Sequence, residues 1–177
     1  GINRYSIDKL LNKVEEAVRF SIPAIAIFPQ IEPSLKNAEG SLAYDENNLV
    51  CRSIKNIKKE FSGIGIICDV ALDPFTDHGH DGLVINDKID NDKTLDILEK
   101  QALVQVHAGC DVIAPSDMMD GRVGRIRKVL DSNSFQDTLI LSYAAKYASA
   151  FYGPFRDAIG SGANLGKDGK LTYQMDP

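Results

Sequence analysis

The chain has no tryptophan, three cysteines and seven prolines among its 177 residues. It also has no apolar run approaching the roughly 20 residues that a membrane span requires. Cys51, Cys68 and Cys110 are odd in number, widely spaced and without a C-x-x-C pair, which argues against a disulfide framework. Each lies in or beside an apolar segment, where a free cysteine behaves as a small buried hydrophobe. A reducing, cytoplasmic setting is the simplest expectation. Excess positive charge is lacking too: 20 Lys and Arg against 25 Asp and Glu give a net charge of −5, with the basic residues scattered. That distribution argues against a nucleic-acid-binding surface. The opening Gly1-Ile2-Asn3-Arg4 is not a basic region leading into an apolar stretch, so no secretory signal is read, and no membrane partner is expected. It lacks an initiator Met, so the natural N-terminus is expected elsewhere. With no low-complexity tract and no interdomain linker, residues 1–177 are read as a single domain.

Periodicity is present throughout. After Ser6, a plausible N-cap, Ile7, Leu10, Leu11, Val14 and Val18 share one helical face, which predicts a helix to about Arg19. The run Ala24-Ile25-Ala26-Ile27-Phe28, closed by Pro29, predicts a strand buried on both faces under helices. Residues 30–48 read as a long loop. Val50, Ile54, Ile57 and Phe61 restore the helical period, and 64–70 is a second strand. Residues 73–91 are rich in Asp, Gly and His, and a loop this long in a compact domain is usually functional. Leu95, Leu98, Ala102, Leu103 and Val106 mark another helix, with Gly109 placed for a left-handed C-terminal cap. Val112-Ile113-Ala114 is a third strand, Val123 to Leu130 a helix, and 138–141 a fourth strand.

Helix and strand alternate, the pattern of a parallel α/β sheet with right-handed crossovers. Polar residues crowd just after each strand: Gln30 and Glu32, Asp69 and Asp73, Ser116 and Asp117, Ser142 and Lys146. The carboxyl ends of the strands are where sites form in (β/α)8 barrels and in open α/β sheets alike. A complete barrel takes about 250 residues. The chain is therefore read as α/β, either an open sheet or a partial barrel of four or five βα units, and its lack of a closing element favours a piece of something larger.

Four groups could carry chemistry. Lys146, at the mouth of a buried strand, is expected to be desolvated, with its pKa lowered for attack on a ketone; the competing reading is a solvated surface lysine. Asp73 to Gly82 is dense enough in carboxylate and imidazole to ligate a divalent ion, or is a polar loop of turn-forming residues. Asp69 and Asp117 could orient a substrate amine or relay a proton, or simply cap the helices that follow. Phe151-Tyr152-Gly153-Pro154-Phe155-Arg156-Asp157, then the glycine-rich 160–169 and Lys170, suit a lid with a carboxylate clamp, or a surface loop with unpaired cations.

The segments Asp69-Val70-Ala71-Leu72-Asp73-Pro74-Phe75-Thr76, His78-Gly79-His80-Asp81-Gly82, Ala114-Pro115-Ser116-Asp117-Met118-Met119-Asp120-Gly121-Arg122, 142–158 and Tyr173-Gln174-Met175-Asp176-Pro177 together resemble the porphobilinogen synthase (δ-aminolevulinate dehydratase) family of the bacterial, non-zinc type. The likeness covers essentially the whole chain. It implies a (β/α)8 TIM barrel with an N-terminal arm, usually a homo-octamer. The implied reaction joins two δ-aminolevulinate molecules, with loss of two waters, into porphobilinogen for haem and other tetrapyrroles. Lys146 would be a Schiff-base lysine, holding the substrate that supplies the propionate side. Arg156 and Lys170 would receive the other substrate's carboxylate, with Gln174 nearby. Asp69, Ser116 and Asp117 would line the first pocket, Asp69 and Asp117 as proton carriers, and Phe151 and Tyr152 would begin the lid.

Zinc-dependent members of that family carry three cysteines where this chain has Ala71, Asp73 and Asp81. The resemblance thus implies no zinc and no organic cofactor; it implies allosteric magnesium, bound beyond Pro177, or a monovalent cation. It also puts a second Schiff-base lysine and half the barrel C-terminal to Pro177, and the arm before Gly1. The 177 residues alone are therefore expected to be inactive and to self-associate through open sheet edges. Three rival expectations are a class I aldolase-like Schiff-base barrel, a non-catalytic metal module built on 73–81, and a purely structural half barrel.

Overall fold

A computed structural model of the chain describes residues 3–160 and 169–176, apart from the side chains of Ala150, Arg156, Gly169 and Thr172. Helix α1 (Ile7–Arg19) leads into strand β1 (Ala24–Ile27), then α2 (Leu49–Glu60), β2 (Gly65–Val70), the two-residue strands β3 (Val84–Ile85) and β4 (Lys88–Ile89), and α3 (Asn91–His107). Strand β5 (Val112–Pro115), α4 (Arg122–Ser132), β6 (Leu139–Ile140) and α5 (Gly153–Ile159) follow. Strands β1, β2, β5 and β6 form one sheet in that order, every pair parallel, with Ala24 opposite Gly65, Ile67 opposite Val112, and Val112 opposite Leu139. Strand order follows chain order without reversal, so the sheet has no switch point. Helix α1 packs on α2, α2 on α3, and α3 on α4 as one continuous layer. This is a partial (β/α) barrel: crossovers of one hand put α1 to α4 on one side of the sheet.

That topology corrects the expectation of strands buried on both faces. In β2 the residues alternate: Ile66, Cys68 and Val70 are fully buried toward the helices, while Ile67 and Asp69 face the helix-free side and are partly buried. An uninterrupted apolar sequence serves a barrel strand as well, because its concave side is covered by other strands rather than by helices. The core lies in the helical layer, where Ile54, Ile57, Leu98, Ile126 and Leu130 bury completely against the sheet. Cys51, Cys68 and Cys110 are free thiols in this layer, and burial raises the Cys51 thiol to about 11.

Local signals explain most boundaries. The Asn48 side chain caps α2, accepting from Cys51 N at 2.8 Å and donating to the Leu42 and Ala43 carbonyls at 3.1 Å each. Asp90 caps α3 by accepting from Lys93 N at 2.9 Å. Gly109 takes the left-handed conformation (φ 110°) just past α3, where a side chain would be strained. Ser6 precedes α1 but its hydroxyl bonds Asp8 instead of the helix backbone. Four features escape the sequence pattern: 3-10 turns at Pro33–Leu35 and Ser41–Tyr44 inside the first loop, the β3–β4 hairpin inside the second, and α5. Each is too short to display a period.

Two glutamines on α3 tie the helical layer to the end of β2. Gln105 Nε2 donates to the Asp69 carbonyl at 3.0 Å, and Gln101 Nε2 to the Ala71 carbonyl at 3.2 Å. Both are buried, so these bonds form in a low-dielectric setting where an unmade bond would be costly. They set where the strand stops and the polar loop begins.

Candidate active site

Asp69 projects from the carboxyl end of β2, and Ser116 and Asp117 follow β5 directly. Ser116 Oγ donates to Asp69 Oδ1, linking the two strand ends. Between residues 71 and 82 the chain folds back on itself. Phe75 N and Thr76 N both bond the Leu72 carbonyl, Leu72 N bonds the Asp81 carbonyl at 3.3 Å, and Thr76 Oγ1 donates to the His80 carbonyl at 2.9 Å. Gly82 allows the close of this loop: a Cβ there would lie 2.7 Å from Thr94 Oγ1 on α3. The loop thereby delivers Asp73 and Asp81, both buried, beside Asp69.

The opposite wall comes from Lys146 and from the segment 169–176. The segment 169–176 runs alongside Lys146: Met175 N donates to the Lys146 carbonyl at 3.0 Å, and Ala148 N to the Met175 carbonyl at 2.8 Å. Lys146 is 6% exposed; its Nζ donates to the Ser116 carbonyl at 2.6 Å and lies 3.5 Å from Asp81 Oδ2. Lys170, equally buried, donates to Asp81 Oδ1 at 2.5 Å and to Asp73 Oδ2 at 3.0 Å. Gln174 Nε2 reaches Asp81 Oδ2 at 3.4 Å. Two ammoniums therefore share one carboxylate, and Lys146 and Lys170, which the resemblance gives to different substrates, meet in one pocket.

Charge settles the protonation states. Burial is the largest single influence on Lys146 and pulls it toward the neutral amine, but Asp81, Asp73 and Asp69 together outweigh burial and hold the ammonium above its ordinary range. The expectation of a lowered lysine pKa is thus corrected: desolvation alone is not the environment when three carboxylates come with it. Lys170 is raised in the same way, against burial, by Asp73 and Asp81. Burial, reinforced by the charge of Asp73, lifts Asp69 to about 7, against the Ser116 hydrogen bond. Burial likewise lifts Asp117 to about 7. Asp73 is raised by burial and by Asp81, against the pull of Lys170.

The remaining candidates are placed unevenly. Asp117 Oδ1 accepts from Met119 N at 2.7 Å in a local turn, while its buried Oδ2 has no hydrogen-bond partner and lies 3.7 Å from Arg122 Nε. The Tyr152 ring centroid is 5.7 Å from Lys146 Nζ, a cation–π distance. Phe151 is exposed, and Phe155 packs edge-on against Phe28. Arg156 lies on α5, but its side chain is outside the described residues, as are residues 161–168, on which the expected lid falls. His78 and His80 do not face the lysines: His80 N donates to His78 Nδ1, His78 Nε2 reaches the Ala38 carbonyl at 3.2 Å, and His80 Nδ1 lies 3.3 Å from the Tyr173 hydroxyl. Among the described residues no three His, Cys, Asp or Glu side chains converge as metal ligands. Sequence reasoning read Asp73 and Asp81 as metal ligands or as part of a polar, turn-forming loop, and gave Tyr173 no role of its own beyond its place in a matching segment. The density of Asp in residues 73–81 was the one available signal, since their pairing with Lys170 spans 89 residues or more.

Such a site, a buried lysine amine among aspartates that retain protons near neutrality, is equipped for Schiff-base chemistry on a carbonyl. The model of the family described as "Delta-aminolevulinic acid dehydratase" matches residues 1–177. The chain is 59% identical to "Delta-aminolevulinic acid dehydratase" of Bradyrhizobium diazoefficiens over 99% of its own length and 50% of the relative's. It is 44% identical to the protein of that name from Chlamydia pneumoniae, covering all of this chain and 53% of that one. A crystal structure of delta-aminolevulinic acid dehydratase (porphobilinogen synthase) from Toxoplasma gondii ME49, in complex with the reaction product porphobilinogen, superposes with a TM-score of 0.96 at 46% identity, covering 100% of this chain and 51% of that one. The chain spans about half the length of these relatives, and it belongs to the delta-aminolevulinic acid dehydratase family.

Proposed function

We propose that the complete protein condenses two δ-aminolevulinate molecules into porphobilinogen, with loss of two waters, through a Schiff base on Lys146. The observation that carries this reading is the burial of the Lys146 amine 3.5 Å from Asp81, at the carboxyl end of the sheet. The Toxoplasma relative, which holds the pyrrole product, supports it.

In the free site Lys146 is an ammonium and must first give up a proton, for which Asp81 Oδ2 is the nearest carboxylate oxygen. The neutral nitrogen then attacks the ketone carbon; a C–N bond forms as the carbonyl electron pair moves to oxygen. That oxygen leaves as water after taking protons from the nitrogen and from a carboxylic acid. Asp69 and Asp117 suit the acid role, since both keep a proton up to about pH 7. The iminium left behind is the electron sink for the later bond formations.

Lys146, Lys170 and Gln174 all reach Asp81, which favours giving them to one substrate. A substrate carboxylate would have to compete with Asp73 and Asp81 for Lys170, with Arg156 as a second cation. Phe151 and Tyr152 would belong to the cover over that pocket. As for zinc, Ala71 offers no ligand atom and the Lys170 ammonium stands between Asp73 and Asp81, so this donor set does not fit it. We assign the cation requirement to magnesium bound elsewhere in the complete protein or to a monovalent ion, and the assembly to a cytoplasmic homo-octamer. Buried free thiols suit that compartment, and among the described residues no helix is long and apolar enough to cross a membrane.

The test is borohydride reduction of the complete protein in the presence of δ-aminolevulinate. Mass mapping should find the reduced adduct on Lys146, and porphobilinogen should form without it being reduced; an unmodified Lys146 overturns the reading.

A further inference from the structure

Asp81 serves Lys170 with one carboxylate oxygen and Lys146 and Gln174 with the other. A fork of this kind works only if the residue's main chain is held still, and Asp81 sits in a loop, not in a strand or helix. Its carbonyl is held by Leu72 N at 3.3 Å. Its N–H donates to the Tyr173 hydroxyl at 3.1 Å, across 92 residues of sequence. The same hydroxyl lies 3.3 Å from His80 Nδ1, and the two rings meet edge to face with centroids 5.9 Å apart. Tyr173 lies between Lys170 and Gln174, on the segment that brings both to the aspartate.

From this geometry we propose that Tyr173 is a positioning residue for the reaction, its hydroxyl locking the Asp81 main chain so that one carboxylate serves Lys146 and Lys170 together. The proposal deepens the Schiff-base reading and rests on it. The hydroxyl accepts from Asp81 N–H with one lone pair, which leaves its own proton for an unprotonated His80 Nδ1. One phenol thus joins the acidic loop to the segment carrying the second lysine. Without it, Asp81 N–H is left without this acceptor and the loop can drift relative to both ammoniums, and displacements of about 1 Å near reacting groups cost on the order of a hundredfold in rate.

Tyr173→Phe keeps the ring against His80 and deletes only the hydroxyl. In the complete protein kcat should fall about 10- to 100-fold, with KM for δ-aminolevulinate changed less than about threefold. The pH midpoint of borohydride trapping at Lys146 should move down, because a displaced Asp81 favours the ammonium less. In an Asp81→Asn background the same substitution should change kcat less than about twofold, the mark of a residue that acts through Asp81. Wild-type kcat and an unmoved trapping profile in Tyr173→Phe overturn the proposal, as do full additivity with Asp81→Asn or a loss of activity that merely follows a large drop in Tm. Absence of trapping in the wild-type protein is a different failure: it sinks the Schiff-base reading itself.

Discussion

On the helical side of β2, Ile66, Cys68 and Val70 are fully buried among apolar neighbours, and nothing there titrates near neutrality. At the strand's carboxyl end, Asp73 and Asp81 are also buried, and Asp69 is mostly so, but among charges, and the cluster is closed by Lys146 and Lys170 from residues far along the chain. Burial is common to both regions, yet its energetic sign differs. Removing apolar surface from water stabilises the fold, whereas removing a carboxylate costs free energy that partners only partly restore. One region holds the chain together, and the other stores protons and charge for chemistry.

Substitutions should separate the two. The largest expected effect is that of Lys146→Ala, which should lower kcat of the complete protein by on the order of 10^4-fold or more and abolish trapping at that position. Its Tm should move little, since the amine is part of the charged region; a collapse of the fold would erase the distinction drawn here. Next, Asp81→Asn should lower kcat by about 10^2- to 10^4-fold. It should also move the pH midpoint for trapping at Lys146 downward, because the largest of the influences holding that ammonium is removed. Leu98→Ala, in the apolar layer, should cost about 2–5 kcal/mol of stability by denaturant titration, leaving the trapping profile where it was.

The smallest effect sharpens the contrast through pH. Asp69 and Asp117 have folded-state values of about 7 against an ordinary 3.8. Between these limits the folded chain binds protons that the unfolded chain has released, so stability falls as pH rises from about 4 to 7. Asp117→Asn cannot ionise and should lose part of that decline, gaining about 1–3 kcal/mol relative to wild type on going from pH 4 to pH 8. A slope identical to that of the parent chain would mean that Asp117 is ionised in the fold.

Much of the sheet was legible because its elements are long enough to repeat. Leu95, Leu98, Ala102 and Val106 mark α3, and the observed helix, Asn91–His107, extends that stripe to its Asp90 cap. The strand ends were legible from Asp69, Ser116 and Asp117, since polar residues directly after apolar runs have to lie at the sheet's rim. The β3–β4 hairpin and α5 were not, each spanning too few residues to show a period. Nor was the state of Lys146: its neighbours in sequence are small and aromatic, while its neighbours in space are acids brought from residues 69–81.

The linear order of residues by itself determined the alternation of helix and strand, the class of fold and the membership of Lys146 in a polar rim, because these depend on spacing along one chain. Only the tertiary structure decided that α1 to α4 form one layer on the sheet, that Lys146 is charged when free, and that Asp81 is shared by two lysines 24 residues apart and held by Tyr173. The last two are consequences of charge and hydrogen bonding at distances of a few ångströms between segments separated by up to 92 residues, and proximity of that kind leaves no local mark on a sequence.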